Sequence, residues 1–251
     1  FPINDIAFGL SQKNKVVVLT GKPNYPHGNI YNGYKKIGFQ KENLTKNLTV
    51  IRVPIIPRFK GSKINLIINY LSFVFSGIIF GFFILFRKKF DNVFVYCPSP
   101  ITQIVVGIFF KKIKNIKLST WVQDIWPESL YATGSLKKNY LYKILRKLCN
   151  YLYNNNAVLF LQSRKFFKHF NTISPNIKKI YLPNQGKEFK LTNKRINKKP
   201  FNNRYFNILY TGNIGKAQNF DNLIKVVKKL FKLNNNICFH IIGEWSYKKK
   251  A

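Results

Sequence analysis

Acidic side chains are scarce in this chain: eight Asp and Glu stand against 43 Lys and Arg, so the formal net charge is +35. A surface of that sign attracts anionic partners, among them nucleic acid, anionic lipid headgroups and phosphorylated metabolites. A Lys- and Asn-rich composition set by genomic base bias produces the same charge, so charge alone selects no function. Methionine is absent and the first residue is Phe1, from which the chain is expected to be a piece of a longer one. Cysteine is limited to Cys97, Cys149 and Cys238, widely spaced and without a C-x-x-C pair. That usage fits a reducing cytoplasm and offers no structural metal site. His27, His169 and His240 are equally scattered, which leaves a histidine metal cluster or a nucleophilic triad without support. No metal and no cofactor are expected.

What is present is enough for a core. With 251 residues and 46% hydrophobic side chains, the chain can build one large or two modest domains. Short β-branched runs recur at Val16 to Leu19, Val50 to Val53, Val93 to Tyr96 and Leu118 to Val122, each expected to lead through a turn into a helical stretch. Ala157 to Leu161 and Ile180 to Leu182 continue the series. A second set opens with Phe206 to Tyr210 and resumes at Ile237 to Ile242. Strands alternating with helices predict an α/β fold with parallel sheets covered on both faces. Between the two sets, residues 187–204 are crowded with Lys, Arg and Asn and carry Pro200, the composition of a linker. The expected organisation is therefore an N-terminal domain over 1–186, a linker over 187–204, and the opening of a second, incomplete domain over 205–251.

The 23 residues from Ile64 to Phe86 contain no charge and end at Arg87-Lys88-Lys89. About 20 apolar residues suffice to cross a bilayer. Asn65, Asn69, Ser72 and Ser76 interrupt the run, however, and one continuing α/β pattern lies on both sides of it. A helix lying on the domain and touching a membrane interface is favoured over a buried core helix and over a true span. No cleavable signal peptide is evident.

In open α/β folds ligands collect beyond the carboxyl ends of the strands. After the first strand comes Thr20 to Gly28, where Pro23 and Pro26 stiffen the loop and Gly21 and Gly28 permit tight bends; an ordinary structured turn has the same composition. The strand ending at Val122 runs into Gln123-Asp124-Ile125-Trp126-Pro127-Glu128-Ser129, so two of the eight carboxylates sit four residues apart. Asp124, directly off the strand, is placed to take a proton from a hydroxyl, and equally to cap a helix. Glu128 follows Pro127 and is suited to a helical first turn. The strand ending at Tyr210 leads into Thr211-Gly212-Asn213-Ile214-Gly215-Lys216-Ala217-Gln218 and then a helix from about Phe220. Such a turn can bring backbone amides to phosphate oxygens, with Lys216 as a mobile cation, or can simply connect two elements.

Taken in order, the segments VVVLTGKPNYPHGNIYNGY, VIRVP, NYLSF, WVQDIWPES and ILYTGNIGKAQNFDNLI resemble the bacterial branch of glycosyltransferase family 4 that builds capsule, O-antigen and related surface polysaccharides. The resemblance covers nearly the whole chain, and TGKPNYPHG with VQDIWPES is its most specific part. It implies a GT-B architecture of two Rossmann-like domains with parallel sheets, the second truncated here. The implied activity is sugar transfer from a nucleoside-diphosphate sugar to a glycan acceptor on a lipid carrier, with retention of configuration and no required metal. Carried over by position, Asp124 is the catalytic residue on the acceptor side. Lys22, Asn24, Tyr25, His27, Gln123 and Glu128 line that side, while Gly212, Asn213, Gly215, Lys216, Gln218 and Glu244 face the donor.

Two departures stand out. Pro183-Asn184-Gln185-Gly186 carries one residue more than the family's Pro-Asn-Gly turn, and the family's two donor-binding glutamates are expected beyond residue 251. The implied partners are a sugar nucleotide, a lipid-linked acceptor and an anionic membrane surface, with the protein peripheral on the inner face of the cell membrane. The rival expectations are an inactive truncated remnant and a basic nucleic-acid-binding protein. The latter lacks a recognisable reader module, and its aromatics fall mainly in apolar runs such as Phe80 to Phe86. No nucleic-acid partner is therefore expected.

Overall fold

The computed structural model describes residues 2–25, 27–59, 61–186, 201, 204–214, 218–233 and 236–243. Contacts divide the chain into one unit of residues 1–129 with 137–186 and another of residues 130–136 with 187–251. Most of the expected linker, 187–200 with 202 and 203, lies outside the described residues.

The first unit opens with α1 (Pro2–Ser11) and β1 (Val16–Gly21). Next come β2 (Gln40–Thr45), β3 (Leu48–Val53), α2 (Lys63–Leu85) and β4 (Asn92–Cys97). They are followed by α3 (Gln103–Lys114), β5 (Lys117–Val122), the first two residues of α4 (Glu128–Ala132), whose last three belong to the second unit, and α5 (Tyr140–Asn154). The series ends with β6 (Val158–Leu161), α6 (Phe166–Ile173) and β7 (Lys178–Tyr181). Two sheets result, one ordered β1-β3-β2 and one ordered β4-β5-β6-β7. All pairings in the four-stranded sheet are parallel. The unit is thus α/β and compatible with a Rossmann-like arrangement.

One expectation fails. No helix follows β1, and β2 pairs antiparallel with β3, so the first sheet is mixed. The reason is visible in β2 itself. Its sequence, QKENLT, has no apolar alternation, and as an edge strand largely open to water it needs none. Polar cross-strand pairs hold it instead: Arg52 Nε donates to Glu42 Oε1 at 2.8 Å, and Thr49 Oγ1 donates to Asn43 Oδ1 at 3.0 Å.

The helices begin and end on local chemistry. The Ser62 hydroxyl accepts from Asn65 N–H to cap α2, and the Asn139 side chain accepts from Tyr142 N–H to cap α5. Helix α3 stops at Asn115, in the left-handed region at φ 50°, with Lys111, Lys112 and Lys114 in its last turn.

Packing then unites the two sheets. Ile51 of β3, Leu85 of α2 and Val106 and Phe110 of α3 form a buried cluster, against which pack Val17 and Leu19 of β1 and Val93 of β4. Strand β5 ends in the fully covered sequence Thr120-Trp121-Val122, as a central parallel strand requires. The Thr120 hydroxyl donates to Asn156 Oδ1 at 2.6 Å, and the Asn156 amide donates back to the α5 carbonyls of Leu152 and Tyr153. A buried polar link therefore fixes the end of α5 to the centre of the sheet.

The second unit is a parallel pair, β8 (Phe206–Thr211) and β9 (Ile237–Ile242), joined through α7 (Phe220–Leu233). The rings of Tyr210 and Phe220 meet edge to face at 5.0 Å. Gly212 has φ +150°, and a Cβ on Gly243 would stand 1.7 Å from the Gly212 carbonyl oxygen, so the two strand ends touch through bare backbone.

Candidate functional site

The parallel order of β4 to β7 sends every carboxyl end to one edge of the sheet, and polar side chains gather there. Gln123 is the first residue beyond β5 and Gln162 the first beyond β6. Asn184 lies three residues past β7. The Asn184 amide donates to Gln123 Oε1 at 2.7 Å and to Gln162 Oε1 at 2.9 Å, while the Gln162 amide donates to the Gln123 carbonyl at 2.5 Å. This network sets the orientation of all three amides. It leaves the Gln123 Nε2 donor buried without a partner. Burying a donor unsatisfied is costly, and a ligand oxygen is one way to satisfy it.

Asp124 comes next along the chain and is exposed to solvent. The protein around its carboxyl still raises its pKa above the ordinary carboxylate value, by desolvation; exposure to water keeps that effect modest. Its charge in turn helps to raise the pKa of Tyr96 and Cys97 at the end of β4, where burial is the larger cause. Trp126 anchors the loop beyond Asp124: its backbone N–H donates to the Tyr153 hydroxyl at 3.1 Å and its indole N–H to Ser99 Oγ at 3.2 Å. The Ser99-Pro100 and Trp126-Pro127 peptides are both cis.

Glu128 is engaged elsewhere. It opens α4, accepts from the Tyr142 hydroxyl at 3.4 Å, and lies 4.0 Å from both Arg146 Nε and His169 Nε2. Burial lowers the His169 pKa, Glu128 pulls it up, and Arg146 lowers it again. These contacts link the start of α4 to α5 and α6 and leave Glu128 Oε2 buried without a hydrogen bond.

At the end of β1, Lys22 is 1% exposed and its ammonium is buried without a hydrogen-bond partner. Burial lowers its pKa, and Lys35 adds to the effect. Asn24 is buried beside it in sequence, with Nδ2 donating to the Lys22 carbonyl at 3.3 Å and Oδ1 unpaired. Tyr25 and His27 are exposed. Gly28, at φ +84°, lets the loop close on the segment after β3: a Cβ there would lie 1.8 Å from the Phe59 carbonyl oxygen. Among the described residues no hydrogen bond or ion pair joins Lys22, Asn24, Tyr25 or His27 to Gln123 or Asp124. The hydrogen-bond network at the sheet edge therefore joins Gln123 to Gln162 and Asn184, and the β1 loop takes no part in it.

Among the described residues the surface depressions include a shallow one of about 360 Å³ lined by Arg146, Lys165, Lys168, His169, Thr172 and Ile173, and another of about 500 Å³ along His27 to Asn32. Neither contains Asp124. The candidate site is identified by the chemistry at the sheet edge.

In the second unit, Gly212 and Asn213 are exposed directly beyond β8, and Gln218 is exposed two residues before α7. Gly215, Lys216 and Glu244 lie outside the described residues. No group of three or more His, Cys, Asp or Glu that could hold a metal comes together among the described residues. Sequence reasoning overlooked Gln162 and the side-chain role of Asn184; the available signal was their place just after parallel strands. No family model matches the chain, and no curated protein matches it. Fold and site together define an α/β protein with a polar candidate site at the carboxyl edge of a parallel sheet.

Proposed function

We propose that the chain is part of a sugar-nucleotide-dependent glycosyltransferase of the GT-B type, adding a hexose or amino sugar to a lipid-linked glycan in surface polysaccharide synthesis. The observation that carries this reading is Asp124, a carboxylate of raised pKa one residue past Gln123 at the carboxyl edge of the parallel sheet. The acceptor hydroxyl gives its proton to Asp124 as its oxygen bonds to the anomeric carbon on the face from which the diphosphate departs, so the bond from that carbon to the diphosphate breaks with retention of configuration. The Gln123 Nε2 donor and the Lys22 ammonium, both lacking protein partners, are suited to the oxygen-rich acceptor and its diphosphate. On the donor side, the exposed turn at Gly212 and Asn213 would receive the sugar nucleotide, where backbone amides and Lys216 offset charge on the departing diphosphate.

The test is transfer itself. Protein expressed from its gene is incubated with radiolabelled nucleoside-diphosphate sugars and a polyprenyl-diphosphate-linked sugar. Labelled product is expected from one donor, with a loss of roughly a hundredfold or more in Asp124→Asn. Near-normal turnover in that variant removes Asp124 from the mechanism, and no transfer from any donor ends the reading.

A further inference from the structure

Helix α2 is apolar on both sides, since Phe73, Val74, Ile78 and Ile84 pack inward on the core while another apolar row faces out. Its buried residues are Asn69, Ser76, Gly77, Gly81 and Leu85, mostly small or polar. The exposed face carries Ile64, Ile67, Leu71, Phe75, Ile79 and Phe83, at steps of three or four residues along the whole helix, with Ile64 at 69%, Phe75 at 65% and Phe83 at 77% exposure.

The small residues explain the inward packing. A Cβ on Gly81 would stand 2.8 Å from the Phe110 ring and 3.0 Å from Leu19, and one on Gly77 would stand 3.3 Å from Val106. Close approach to α3 and β1 therefore uses the glycines, with Phe73, Val74, Ile78 and Ile84 packed around them, while a second apolar row from Ile64 to Phe83 is left outside. The Asn69 amide and Ser72 hydroxyl serve the segment before the helix, donating to the Ile56 carbonyl and accepting from the Ile56 N–H. An apolar stripe this long on a protein surface marks a surface that meets something.

The apolar stripe and the local charge beside it together point to the occupant. No Asp or Glu occurs between Glu42 and Asp91, while Lys63, Arg87, Lys88 and Lys89 flank the helix. The Lys114 ammonium donates to the Phe86 carbonyl at its end. Two copies of a chain of net charge +35 would repel one another across such a face. A bilayer offers hydrocarbon to the stripe and anionic headgroups to the flanking cations. The helix meets the length and apolarity needed to cross a membrane. Crossing, however, would strip α3, β1 and β3 of the glycine face and Leu85 that they pack against.

We infer that the exposed face of α2 is a docking surface for an anionic lipid bilayer, the helix lying in the plane of the headgroups with its apolar stripe inserted. This goes beyond the transferase reading and does not depend on it, because vesicle binding is measured without any sugar nucleotide.

The full chain is sedimented with vesicles of phosphatidylcholine, with and without phosphatidylglycerol, at low and high salt. Binding to the anionic vesicles at low salt is expected, weaker on the neutral ones and partly released by salt. The Phe75→Ser, Phe83→Ser double variant should lose about tenfold or more in partitioning with an unchanged far-ultraviolet dichroism spectrum. A Phe83→Trp variant should in addition show fluorescence quenching by brominated acyl chains beyond that of the native tryptophans. Absence of low-salt binding, binding indifferent to the double variant, or resistance to both salt and alkaline extraction each overturns the inference. A dimer that the double variant dissociates, without vesicle binding, overturns it in favour of a second copy.

Discussion

Asn184 and Gln123, 61 residues apart in sequence, are joined by a 2.7 Å hydrogen bond across the carboxyl edge of the four-stranded sheet. The same Asn184 amide reaches Gln162 at 2.9 Å, so one side chain holds the residues that follow β5 and β6. Removing it in Asn184→Ala deletes two neutral hydrogen bonds, and a loss of about 1–2 kcal/mol is expected from urea denaturation. Because Gln162 belongs to the same network, Asn184→Ala and Gln162→Ala should combine to less than the sum of their separate effects. Simple additivity would show that the three amides act independently.

The raised pKa of Asp124 has two consequences of opposite sense. A carboxyl whose folded pKa exceeds its unfolded value holds its proton more tightly when folded. The linked stability is present below the unfolded pKa and is lost as pH rises through the folded one. Asp124→Asn should accordingly leave thermal stability near neutral pH unchanged or slightly higher. Catalysis needs the ionised form, so activity should rise with pH through a limb lying above the range of an unperturbed aspartate. A kcat/KM profile with its acid limb at the ordinary aspartate position would contradict the proposed role.

Gly107 sits where α3 crosses β4 and β5, and a Cβ there would lie 2.6 Å from Val95 Cγ2 and 2.9 Å from Leu118 Cδ1. Both neighbours are buried, so neither can swing away. Alanine in a helix gains up to about 1 kcal/mol over glycine, whereas overpacking a core costs about 1–3 kcal/mol. The crowding should win, and Gly107→Ala is expected to lower stability by about 1 kcal/mol in a denaturation curve. A more stable variant would mean that the helix can shift off the sheet freely.

The thiols should separate by accessibility. Cys97 and Cys149 are fully buried, and burial pushes the Cys149 pKa up to about 12 and that of Cys97 higher still. Cys238 is partly exposed. A thiol-specific disulfide reagent at mildly alkaline pH should therefore label one cysteine quickly in the native protein and all three after unfolding. Rapid labelling of Cys97 would show that the end of β4 opens in solution, and rapid labelling of Cys149 that α5 lifts from its packing.

Much of the α/β pattern was legible in the residues. The runs at Val16, Val93 and Leu118 are rich in β-branched and aromatic residues, the composition strands favour, and each became a strand of a parallel pair. β2 escaped notice because an open edge strand carries no hydrophobic period, and its pairing depends on partners ten residues away in β3. The position of Asp124 just past a strand could be read directly, since strand ends are local features. The network of Gln123, Gln162 and Asn184 could not, because it exists only when three loops are brought to one edge by the sheet.

For α2 the sequence determined a long, charge-free helix and the cations beside it, both properties of consecutive residues. Which face would be covered was decided by tertiary packing alone. Gly81 admits Phe110 and Leu19 where a Cβ would crowd them, Gly77 lets Val106 approach closely, and that fit turns Phe75 and Phe83 toward the outside.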